Sequence, residues 1–312
     1  MSDSGRQLRL PFRQKPTFVG LDRSVVAARL EIPVPSFSLN GISAHFSEMG
    51  AGECVVFLHS GAGEASDWNR VTSGMLSAHR CAALDFYGCG QTPPWAGPVP
   101  MTIDDQAELV AALIRVLGAP AHLVGHSYGG AIALRMVVTQ PELVRTVSLI
   151  EPQCYPLLRE HGDPLFDMAA AQFHSFRSAE ERGQPEHGWR KFIDYYSGDG
   201  FWDRLRPAVR EKLLATPKGE SFAVLFSNPT TLDDLKGTQI PALVLCGGST
   251  TVRERRMCQI ISDALPHASL EFIPHAGHMS PMTHPGEVST RIASHIASHP
   301  GAVQTGASRS AR

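Results

Sequence analysis

Apolar residues recur along this chain as short continuous runs separated by amphipathic stretches. Residues 55–58, 81–84, 121–124, 147–150, 243–246 and 270–273 are runs of the length and character that suit a strand buried on both faces. Ahead of them, residues 34–39 and 42–48 alternate apolar and polar. The Asn40-Gly41 dipeptide between those two is the strongest short hairpin signal. The intervening stretches have helical spacing. Asp104 and Asp105 open one that carries Ala107, Val110, Ala111, Leu113, Ile114 and Leu117 on a single side, and Gly118 stops it. Residues 68–76, 130–138, 253–265 and 284–298 predict further helices. A hairpin followed by buried strands alternating with helices predicts an α/β fold, a mostly parallel central sheet covered by helices on both faces.

The rhythm lapses over residues 152–232. No strand run occurs there, and Gly and Pro break the segment into short helical pieces, 190–196 and 202–214 among them. The organisation expected is therefore a flexible tail over 1–30, a core built from 31–151 and 233–299, a helical insertion over 152–232, and a Gly/Ser/Ala-rich disordered tail over 300–312. The insertion is rich in large apolar side chains. Trp189, Phe192 and Trp202 are candidates to line an apolar pocket, although such residues could equally form only the packed core of the insertion.

Composition narrows the class without changing the fold. The 312 residues carry a net charge of −2, so no broad basic field invites nucleic acid. No apolar run approaches the roughly 18 residues of a membrane span, and residues 1–29 lack the apolar centre of a secretory signal. Six cysteines are scattered without a Cys-x-x-Cys pair, which reads as buried free thiols of a cytoplasmic protein. A small-molecule substrate is the expected partner. No feature fixes the oligomeric state.

The chemistry centres on Gly125-His126-Ser127-Tyr128-Gly129, a Gly-x-Ser-x-Gly turn between a strand run and a helical stretch. A serine at a tight strand-to-helix turn is lifted above the sheet edge, where a base can reach its hydroxyl and the Tyr128 amide can face a developing oxyanion. Serine is a weak nucleophile at neutral pH and needs a base, and the base needs an orienting group. His278, in the loop after the run 270–273, is the best base; His275 competes from the same loop. Their spacing could suggest metal, but no third ligand stands beside them, and no metal is expected.

Taken with His59-Ser60-Gly61-Ala62-Gly63, Trp68, Asp85-x-x-Gly88-x-Gly90 and Gly277-His278, the serine turn resembles the α/β-hydrolase superfamily over residues ~34 to ~298. That resemblance implies a nucleophile at Ser127, a base at His278, an oxyanion hole from the amides of Tyr128 and Gly61, a lid made by the insertion, and no cofactor. Two departures stand out. His59-Ser60 replaces the family's usual His-Gly, which alters a side chain and leaves the backbone donor. The usual Gly-x-x-Asp turn is here Gly247-Gly248-Ser249-Thr250, with Thr250 where the acid is expected. Glu151, at the end of the run 147–150, is the better candidate acid, and some haloalkane dehalogenases carry theirs at that place; Glu254 is the other, and a site with no acid is the third possibility. Dehalogenation needs a carboxylate nucleophile, so Ser127 points instead to acyl transfer. The expected function is hydrolysis of an ester or related acyl bond of a small, largely apolar substrate. Cleavage of a diketone-type carbon–carbon bond or of a lactone would use the same groups. A non-catalytic binding protein is the alternative of another class.

Overall fold

A computed structural model describes residues 35–300 except 119, 216 and 217. The expected N-terminal tail and nearly all of the expected C-terminal tail lie outside the described residues. Among the described residues, eight strands form one sheet: β1 (Ser36–Leu39), β2 (Ile42–Gly50), β3 (Glu53–Leu58), β4 (His79–Leu84), β5 (Ala121–His126), β6 (Val144–Ile150), β7 (Ala242–Gly247) and β8 (Ala268–Ile273). Their order is β1-β2-β4-β3-β5-β6-β7-β8. β1 pairs with β2 and β2 with β4 antiparallel, and all the other neighbours pair parallel. Asn40 and Gly41, with φ of 51° and 80°, make the hairpin between β1 and β2, and only residues tolerant of positive φ suit that turn.

The central strands explain their own sequences. Every residue of β5 and β7 is buried, so both read as continuous apolar runs rather than alternating ones. On one face the sheet packs against the helices Ile103–Leu117, Tyr128–Thr139 and Val252–Ala264. On the other it packs against Trp68, Val71 and Met75 and the closing helix Pro285–Ser298. Thr102 and Asp105 exchange capping hydrogen bonds at the start of the first of these helices, and Gly118 ends it with φ 83°.

Among the described residues, seven helices lie between β6 and β7, from Tyr155–Glu160 to Leu232–Lys236. They contain a small core of their own, Phe176, Trp189, Trp202 and Phe222. The helix expected over 202–214 is two: Phe201–Arg204 and Pro207–Ala215. Pro207 bars helical backbone from the residue before it and cannot donate into the preceding turn, and Leu205 already turns extended. The helix expected over 68–76 is a 3₁₀ turn, Ala65–Trp68, followed by a single α turn, Asn69–Thr72. The chain order reverses where β3 lies between β4 and β5, so the loops after β3 and β5 meet at a switch point beside the carboxyl ends of the strands. Ligands of such sheets bind at that place.

Candidate active site

Ser127 sits in the turn between β5 and the helix Tyr128–Thr139 with φ 57° and ψ −112°, a strained conformation for a residue with a Cβ. The glycines beside it are a steric necessity. A Cβ on Gly129 would lie 2.3 Å from the Leu58 carbonyl oxygen, and one on Gly125 would lie 2.4 Å from that of Gly129. The Ser127 amide donates to Ile150 O (2.9 Å) and the Gly129 amide to His59 O (3.1 Å), which bolts the turn to the ends of β6 and β3.

His278 follows β8 in a loop and is buried. Its Nε2 lies 3.1 Å from Ser127 Oγ, and its Nδ1 lies 2.8 Å from Glu151 Oε2. A carboxylate can only accept, so Nδ1 carries the proton and Nε2 is left to accept from the serine hydroxyl. Glu151 is 0% exposed and projects from the end of β6 with φ 43°. A charge so enclosed needs several donors. The Gly247 amide reaches Oε1 at 2.7 Å, and the Thr250 hydroxyl reaches Oε2 at 2.8 Å, beside His278 Nδ1. Thr250, standing where the acid was expected, therefore donates to the acid that stands elsewhere.

The other candidates fall away from this chain of hydrogen bonds. Glu254 is buried, which alone would raise its carboxyl, but Arg253 holds it below the usual range; its oxygens engage Arg253, Thr251 and Tyr195. His275 is exposed. His126 donates Nε2–H to the His278 carbonyl oxygen at 2.8 Å, steadying the loop from behind, and burial pushes its pKa down to about 3. His59 donates Nδ1–H to Ser60 O at 2.6 Å and accepts the Phe86 amide on Nε2 at 3.2 Å; burial pushes it down to about 4. Asp85 accepts the amides of Ala65 and Gln91 at 2.8 and 3.0 Å, shaping the neighbouring turn.

Ser127, His278, Tyr128 and Gly61 all open onto one cavity of about 1120 Å³ between sheet and insertion. Five phenylalanines, Phe173, Phe176, Phe192, Phe222 and Phe226, are part of its lining, and Phe222 packs directly against Gly61. Of the three expected pocket residues only Phe192 lines it. Trp189 and Trp202 lie inside the insertion instead, 1% and 0% exposed, because an indole this large fills the small core between its helices. Trp189 meets Phe176 edge-on at 5.0 Å, and Trp202 donates Nε1–H to Glu186 Oε1 at 3.1 Å. Sequence reasoning passed over Phe222, in the short helix Gly219–Ala223, and Phe226, in the turns just after it. It also passed over Tyr196, whose ring stacks on His278. Among the described residues no group of three or more His, Cys, Asp or Glu side chains could hold a metal ion, and no helix is long and apolar enough to cross a membrane. All six cysteines are free thiols.

Comparison with known proteins bears on the chain as a whole. Over 116 residues it is 33% identical to the dihydrolipoyllysine-residue acetyltransferase component of the acetoin cleaving system of Cupriavidus necator, a match spanning 36% of this chain and 30% of that protein. Carboxylesterase CesB (YbfK) from Bacillus subtilis superposes with a TM-score of 0.64 at 23% identity, covering 86% of this chain and 93% of its own. The enol-lactonase from Burkholderia xenovorans LB400 superposes with a TM-score of 0.66 at 16% identity, covering 84% and 100%. At these identities both structures are likenesses of fold. Residues 55–291 match the model of the alpha/beta hydrolase family, and the chain belongs to that family.

Proposed function

We propose that this protein hydrolyses an ester, open-chain or lactone, of a largely apolar substrate through an acyl-enzyme on Ser127. The supporting observation is the continuous hydrogen-bonded series Ser127–His278–Glu151 opening onto a large, mostly apolar cavity. Ser127 Oγ attacks the carbonyl carbon as its proton passes to His278 Nε2. The carbonyl π pair moves onto oxygen, where the amides of Tyr128 and Gly61 receive it. Glu151 faces the imidazolium formed in that step, its oxygens held in place by the Gly247 amide, the Thr250 hydroxyl and His278 Nδ1. The intermediate collapses, the alkoxide leaves with the proton held on Nε2, and water repeats the sequence on the acyl-enzyme. In a lactone the departing hydroxyl simply stays tethered to the acyl chain.

The cavity refines the substrate. Its volume of about 1120 Å³ stands at the upper end of ligand sites, which run to ~1,000 Å³, and so has room for a bulky acyl or alkyl part. A series of p-nitrophenyl esters from acetate upward tests the reading. The expected result is kcat/KM rising with acyl length, and loss of about six orders of magnitude in Ser127→Ala. Tight binding of such apolar acyl compounds without any turnover would replace this reading with that of a binding protein.

A further inference from the structure

The end of β7 and the segment after it do two things at once. The first half cradles the acid, through the Gly247 amide and the Thr250 hydroxyl. The second half grips the insertion. Arg253, only 1% exposed, donates Nε–H to Glu254 Oε1 at 2.9 Å, Nη1–H to Gln172 Oε1 at 2.7 Å, and Nη2–H to the Tyr196 hydroxyl at 2.8 Å. Its guanidinium also lies 4.5 Å from the ring centre of Tyr195 and 5.3 Å from that of Tyr155. Gln172, Tyr195 and Tyr196 belong to the insertion helices Leu165–Glu181 and Pro185–Ser197. A buried guanidinium with three of its donors spent and aromatic faces around it has little freedom to move.

Tyr196 carries that fixed position to the site. Its ring stacks on the His278 imidazole with centroids 4.2 Å apart and planes 25° off parallel. His126 packs against the same imidazole, its ring centre 4.9 Å away. Gln153 ties the arrangement back to the serine turn: its side chain donates to the Tyr196 hydroxyl at 2.5 Å, and its amide donates to Ser127 O at 3.1 Å.

We infer that Tyr196 is a positioning residue for His278, and that Arg253 holds Tyr196 in place, so that the seating of the insertion is felt directly at the base. The inference rests on the acyl-transfer reading above. An imidazole that must accept from Ser127 and later deliver the same proton to a leaving group needs its plane fixed, and the tyrosine face supplies one of the walls. The insertion is then part of the catalytic geometry as well as a cover over the cavity.

The test uses the full chain and two readouts. In steady-state hydrolysis of a p-nitrophenyl ester, Tyr196→Leu should lower kcat by about 30- to 100-fold with little change in KM, the size of effect that slight misplacement produces. Tyr196→Phe keeps the ring but loses the hydroxyl that Arg253 and Gln153 hold, and should lower kcat by only a few-fold. Arg253→Lys keeps the charge that faces Glu254 but loses the reach to Tyr196, and should lower kcat by a few-fold. The second readout is the proton NMR spectrum. The His278 ring-proton signal, assigned by its absence in His278→Gln, should be displaced upfield by the stacked tyrosine, should move back fully in Tyr196→Leu, and should move back part of the way in both Tyr196→Phe and Arg253→Lys, which sever the same hydroxyl contact. An undisplaced signal in the wild type, or a Tyr196→Leu enzyme with wild-type kcat, overturns the role of Tyr196. Wild-type kcat and an unmoved signal in Arg253→Lys overturn the role of Arg253. Failure of Ser127 to react with a fluorophosphonate would instead undo the acyl-transfer reading, and the NMR signal would still report the stacking.

Discussion

Glu151 holds a charge where no solvent reaches, and its three donors leave it no choice of direction. Replacing it with Gln keeps the shape but lets the amide donate to Nδ1, which favours the wrong imidazole tautomer. Glu151→Gln should therefore lower kcat by about 10⁴-fold, measured on any ester the enzyme turns over. Thr250→Val removes one donor of the three and should cost about fivefold, the equivalent of one ordinary hydrogen bond. Putting the acid back at the vacated place, Glu151→Gln with Thr250→Asp, should recover part of the lost rate. The serine, the histidine and this glutamate could be picked out because each stands at a strand end, beside a glycine turn or just after an apolar run. Tyr196 and Arg253 could not, since their contacts cross from the insertion to the core and no local spacing records them.

At the scale of elements, the serine turn depends on glycine for clearance from backbone atoms. Gly129→Ala drives a methyl against the Leu58 carbonyl and should destabilise the fold by about 3 kcal/mol, visible as a lower midpoint in urea. The insertion divides its aromatics between structure and pocket. Trp202→Ala opens a hole in the insertion core and should cost about 3–5 kcal/mol while leaving the order of preference among acyl lengths intact. Phe192→Ala should reverse that pattern, altering the preference and costing less stability, because Phe192 is only partly buried and faces the cavity. Composition announced an aromatic insertion without showing which rings turn inward. The helix Leu165–Glu181 escaped notice for a related reason: only Ala169, Phe176 and Ala179 of its residues are buried, too few to draw an apolar stripe. Pro207 was a legible break that the apolar content on either side obscured.

For the whole molecule, the alternation of buried strands and helices made the α/β architecture readable, whereas the neighbour order around β3 was not. Parallel strands buried on both faces are interchangeable as apolar runs, and only the connections between them decide who pairs with whom. The buried histidines give the folded state a pH limit. His59 and His126 are held neutral by burial, with pKa values near 4 and 3 against 6.5 for the free side chain. Above pH 6.5 neither folded nor unfolded chain protonates them, and they add no pH dependence. As the pH falls from 6.5 towards 4 only the unfolded chain takes up their protons. Stability should then drop by about 1.4 kcal/mol per pH unit for each of the two, which urea midpoints at pH 7, 6 and 5 would register. A flat profile over that interval would mean that these imidazoles are not neutral in the fold. The central claim is that Ser127 is an activated nucleophile, and it needs no knowledge of the substrate to test. The purified protein is exposed to a fluorophosphonate and its intact mass read beside that of Ser127→Ala. The account predicts one adduct on the wild type and none on the variant; an unmodified wild type with native circular dichroism, or an adduct that persists in Ser127→Ala, would contradict it.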